Sequence, residues 1–71
     1  METIDQVVLD SIIVDNSGNV FFVAGEYYGD ETMFAAYHFD KRTKDLNIIK
    51  GGVSYMDARV AIMNFREGIR V

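Results

Sequence analysis

His38 and Asp40 are the pair in this chain whose types and spacing come closest to chemistry. Two residues apart on a strand they share a face, where a carboxylate could orient an imidazole as general base, or both could ligate a metal ion. The sequence completes neither role: it holds no second His, no Cys and no obvious nucleophile nearby. A hydrogen-bonded structural histidine is the simpler expectation, so the chain is read as a non-enzyme with no cofactor and no metal.

Other groupings are weaker. Asp15-Asn16-Ser17-Gly18-Asn19 gathers oxygen ligands around a glycine but lacks the spacing and closing glutamate of a calcium loop. Gly51-Gly52, ahead of a helical pattern, could offer amides to a phosphate, yet neither a longer glycine-rich loop nor a lysine opening that helix accompanies it. Phe21, Phe22, Tyr27, Tyr28, Phe34, Tyr37 and Phe39 could stack on single-stranded nucleic acid, but all fall where no Lys or Arg interleaves with them. Phosphate would be repelled there, and core or protein interface is the better reading.

The elements that position these residues are predicted as an α+β fold: a four-stranded antiparallel β-meander followed by one C-terminal α-helix, in a single domain spanning 1–71. Strands are expected at about 6–14, 20–28, 33–40 and 46–50, and a helix at about 55–67. The run from Gln6 to Val14 is rich in β-branched residues, which favour strand, although Thr3 as N-cap with Ile4, Val7, Val8 and Ile12 on one face gives a rival helical reading. Asp15 to Asn19 sits between two such runs as a hairpin turn, since Asn16 and Gly18 tolerate positive φ. A second turn is read at Tyr28 to Thr32, a charged one at Lys41 to Asp45, and a break at Gly51-Gly52. Short sequential connections make the meander the economical topology. Ser54 with Asp57 resembles a capping box and Gly68 a helix stop. Between them Tyr55, Ala58, Ala61, Ile62 and Phe65 form one apolar stripe, and Met56, Val60 and Met63 form another.

A chain of 71 residues buries only about 60% of its unfolded surface, so its own core is thin. Both faces of the central strand and two stripes of the helix are apolar, more than one helix can cover. A homodimer is therefore expected, through Met56, Val60 and Met63 on the helix or Phe22 and Phe34 on the open sheet face. The absence of Cys, the acidic Glu2 and Asp5 near the start, and apolar runs far below about 20 residues predict a soluble cytoplasmic protein with no membrane association.

Charge is the unusual feature. Residues 1–40 carry Glu2, Asp5, Asp10, Asp15, Glu26, Asp30, Glu31 and Asp40 and no Lys or Arg, whereas all 7 basic residues follow. Carboxylates spread over a rigid sheet can stand in for phosphates and attract a positive DNA-binding groove. Asp10, Asp15, Glu26, Asp30, Glu31 and Asp40 are the candidate partner-binding residues.

In its small size, lack of Cys and acid-only hairpin segment, the chain resembles phage-encoded DNA mimics that block host DNA-binding proteins, one class of which acts on the nucleoid protein HU. The resemblance implies a non-enzymatic inhibitor used in host takeover, with a basic DNA-binding protein as partner and no direct contact with nucleic acid. The basic second part departs from that pattern. Should Lys41, Arg42 and Lys44 lie beside the acids the mimicry weakens, and should they face away it survives. The alternative is a small dimeric regulatory or antitoxin-like interaction module without mimicry.

Overall fold

The two longest alternating runs of the sequence pair along their whole length and set the frame of the molecule. The computed structural model describes residues 3, 4, 6–28 and 31–69; Glu2, Asp5 and Asp30, three of the acids singled out above, lie outside them. In chain order the elements are β1 (Thr3–Ile4), β2 (Val7–Val8), a 3-10 turn (Leu9–Ser11), β3 (Ile13–Val14), β4 (Asn19–Tyr28), β5 (Glu31–Asp40), β6 (Asp45–Val53) and α1 (Tyr55–Ile69). All pairings are antiparallel in the order β1-β2-β4-β5-β6, with β3 also on β4. This is the expected α+β meander closed by a C-terminal helix.

The first strand is interrupted. Val14 pairs with Val20, a register that if continued would set Asp10 opposite Ala24, but Val7 holds that position. The three residues looped out are the 3-10 turn, and Ser11 explains why they can leave the ladder. Its buried hydroxyl accepts from the Val23 N–H at 2.8 Å and donates to the Val8 carbonyl at 2.6 Å, replacing the missing backbone partners. The rival helical reading of this segment is overturned with the continuous one.

Glu31 rather than Met33 opens β5, because the β4–β5 ladder runs out to Tyr28 opposite Glu31. The glycine pair does not end β6. Register shifts after Tyr37 and after Ala36 insert bulges in β6, and Gly52, at φ +66°, lies in the second, so the strand continues to Val53. The helix likewise runs past Gly68 to Ile69. At its start the Ser54 hydroxyl accepts from the Asp57 N–H at 3.1 Å, the N-cap half of the expected box.

α1 covers one sheet face. Val8, Phe21, Val23 and Ala36 are buried against Ala58 and Ile62, with Tyr55, Ala61 and Phe65 packed around them, which is the first helical stripe. No helix among the described residues is long and apolar enough to cross a membrane.

Candidate functional site

The β3–β4 turn, the end of β5, the β5–β6 turn and the last turns of α1 converge on one open cleft of about 610 Å³ lined by Asp15, Ser17, Asn19, His38, Asp40, Arg42 and Arg66. The register brings them there: Asn19 pairs with Asp40 and Phe21 with His38, all on the helix side of the sheet. Asp15 folds into an Asx turn, its Oδ1 accepting from the Ser17 N–H at 3.0 Å and the Asn19 N–H at 2.8 Å. The Asn19 N–H, ahead of the Asn19 amide, the Ser17 N–H and the Arg66 charge, holds the Asp15 carboxyl below the usual carboxylate range.

His38 stacks on Phe21, with Phe65 tilted against it, each at 5.1 Å between centroids. Its Nε2 lies 2.6 Å from Asn19 Oδ1, and Asn19 Nδ2 donates to Asp15 Oδ2 at 3.1 Å. Because the amide nitrogen is spent on Asp15, its oxygen faces the ring and His38 donates from Nε2. The carboxylate that orients His38 is therefore Asp15, acting through Asn19, and not Asp40. Asp40 is occupied by Arg42, whose Nε and Nη2 donate to its two oxygens at 3.3 Å each and whose backbone N–H adds a bond at 2.9 Å. The Arg42 side chain, then its N–H, holds the Asp40 carboxyl low. Among the described residues no group of three His, Cys, Asp or Glu could hold a metal ion.

Charge in the cleft is close to balanced, with Arg42 and Arg66 facing Asp15 and Asp40; Arg66 also lies 5.7 Å above the Phe21 ring. The basic β5–β6 turn thus lies beside the acids and not away from them. The Lys41 N–H donates to the Gly18 carbonyl at 2.8 Å, and a Cβ on Gly18 would come within 3.3 Å of the Arg42 stem. Sequence reasoning marked Asp15, His38 and Asp40 but not Asn19, Arg42 or Arg66 as their partners.

The remaining candidates are dispersed. Asp10 is exposed on the 3-10 turn at the first edge of the sheet, and Glu31 is exposed at the end of β5 opposite to Asp40. Glu26 is half-buried and accepts from the Tyr37 hydroxyl at 3.3 Å; burial first, then this carboxylate, pushes the phenol up.

Two apolar surfaces stay open. On α1, Met56, Val60 and Met63 are exposed. On the sheet, Phe22 stacks on Tyr37 at 5.2 Å on the face away from the helix, flanked by exposed Val14, Leu46 and Ile48. Phe34 is not on that face. Paired with Gly25, it shares the side of Phe21 and Val23 and meets Tyr55 edge-on at 5.7 Å beneath α1, because the even positions of β5 oppose the odd ones of β4.

Comparison with known proteins finds no matching family model, no matching curated protein and no matching solved structure.

Proposed function

We propose that this chain is a non-enzymatic cytoplasmic protein that binds a basic protein partner, and that the partner surface is the DNA-binding face of a host protein such as the nucleoid protein HU. The observation that supports this reading most is the placement of Asp10 and Glu31. Both are exposed, and the sheet keeps them from its basic elements. Glu31 and Asp40 are the two ends of one ten-residue strand, about 30 Å apart, so Glu31 is remote from Arg42. Two strands separate the edge that carries Asp10 from the edge that carries Lys50. Glu26, with the Tyr37 hydroxyl on it, extends the acidic end. Asp15 and Asp40 contribute less, since Arg42 and Arg66 offset them.

That offset favours a second reading, recognition of a protein partner without imitation of DNA. Titration of the protein into purified HU at rising salt, with duplex DNA as competitor, separates the two. Mimicry requires affinity that falls steeply with salt, displacement by DNA, and a large loss in the Asp10→Asn, Glu31→Gln double variant. Unaltered binding by that variant, or failure of DNA to compete, overturns it; salt-insensitive capture of a partner establishes the second.

A further inference from the structure

The face of the sheet turned away from α1 is apolar over the half that lies toward Leu46. Its centre is made by Val20, Phe22 and Ala24 on β4 and by Ala35, Tyr37 and Phe39 on β5, and none of these side chains carries charge at neutral pH. Its margins are apolar and exposed: Val14 at 58%, Leu46 at 57% and Ile48 at 60%. We propose that a second copy of this chain packs here, sheet against sheet.

Three observations carry the assignment. The first is area. The ten-residue β4 and β5 with the nine-residue β6 beside them, at about 3.3 Å per residue and about 4.8 Å between strands, give a face of roughly 450 Å² in projection. Side-chain relief raises the accessible area toward the roughly 600 Å² per partner at the lower end of standard interfaces. The helix offers Met56, Val60 and Met63, a seam of three side chains along about 10 Å. The second is charge. Glu26, opposite Met33, and Glu31, opposite Tyr28, stand on this face at the end remote from Leu46, with Glu26 bonded to the Tyr37 hydroxyl, whereas Val14, Val20, Phe22, Phe39, Leu46 and Ile48 toward the other end carry no charge. A chain of net charge −4 repels its own copy at those two carboxylates and not across the uncharged half of the face. The third is shape. Phe22 and Tyr37 are already stacked at 5.2 Å with planes 17° apart, a flat ordered centre of the kind that packs on its like at about 10 Å between sheets.

The test is sedimentation equilibrium of the full chain without any partner, so its outcome is separate from that of HU binding. The wild type is expected to be a dimer at micromolar concentration. The Leu46→Lys, Ile48→Lys variant, altered at exposed positions only, should weaken dimerisation at least 100-fold with an unchanged far-ultraviolet circular dichroism spectrum. The same pair changed to Thr keeps strand propensity and should weaken it by a smaller factor, which keeps the test decisive if the lysine variant fails to fold. Met56→Lys, Met63→Lys should remain dimeric. A monomeric wild type, sheet variants as dimeric as wild type, or loss of the dimer in the helix variant would each overturn the assignment.

Discussion

His38 donates through Nε2 to Asn19 Oδ1 at 2.6 Å, and Asn19, nine-tenths buried, passes the link to Asp15. The chain of hydrogen bonds ties the β3–β4 turn to the end of β5 and fixes one tautomer of the ring. Asn19→Ala removes the acceptor of a half-buried imidazole N–H and one donor to Asp15. A loss of about 1–3 kcal/mol is expected from urea unfolding, and a loss below about 0.5 kcal/mol would show that water replaces the amide without cost.

Ser11→Ala tests the break in the first strand. The hydroxyl serves the Val23 N–H and the Val8 carbonyl in a site only 2% exposed, so its removal strands two backbone groups and should cost about 2–4 kcal/mol. Amide hydrogen exchange should quicken first at Val23, whose N–H loses its acceptor.

Acid should weaken the turn end of the molecule. Asp15 and Asp40 both have folded pKa values below their ordinary value, so the stability they contribute is present above the unfolded carboxylate pKa of about 3.9 and is lost as pH falls through the lower folded values. A plot of unfolding free energy against pH should decline below about pH 4, and Asp40→Asn should flatten part of that decline. An unchanged acid limb in the variant would mean that the Arg42 contact contributes nothing measurable.

Two positions of positive φ should respond in opposite directions. Gly52 has φ +66°, and a methyl placed on its Cα would find nothing within 4 Å, so Gly52→Ala meets only backbone strain, about 1–2 kcal/mol. Lys44 occupies the same region at φ 62°, and Lys44→Gly should be neutral to stabilising by up to about 1 kcal/mol. Thermal unfolding of the two variants checks both signs.

Local chemistry made much of this fold legible. The Asp15 to Asn19 turn, the alternation of β4 and β5, the Ser54 cap and both helical stripes follow from residue types within a few positions of one another. What escaped depends on pairing. Ser11 gave no local signal because its value lies in Val23, twelve residues away. Gly51-Gly52 looked like a stop because a bulge is defined only against the neighbouring strand. Phe34 was placed beside Phe22 although the register sets Tyr37 opposite Phe22. At the cleft the same limit applied: His38 and Asp40 were visible as neighbours, whereas Asn19, Arg42 and Arg66 become their partners through hairpin register and the reach of the helix.

The bulges of β6 also bear on how such a chain avoids polymerising. β6 is an outer strand with exposed Leu46 and Ile48, and a flat outer strand of that composition invites copies to add edge to edge without limit, as in fibrils. Two register shifts and a left-handed glycine bend its second half, and Lys50 stands between them, so the row of free amides and carbonyls never runs straight for more than a few residues. Growth at this edge is hindered, whereas packing face to face closes after two copies.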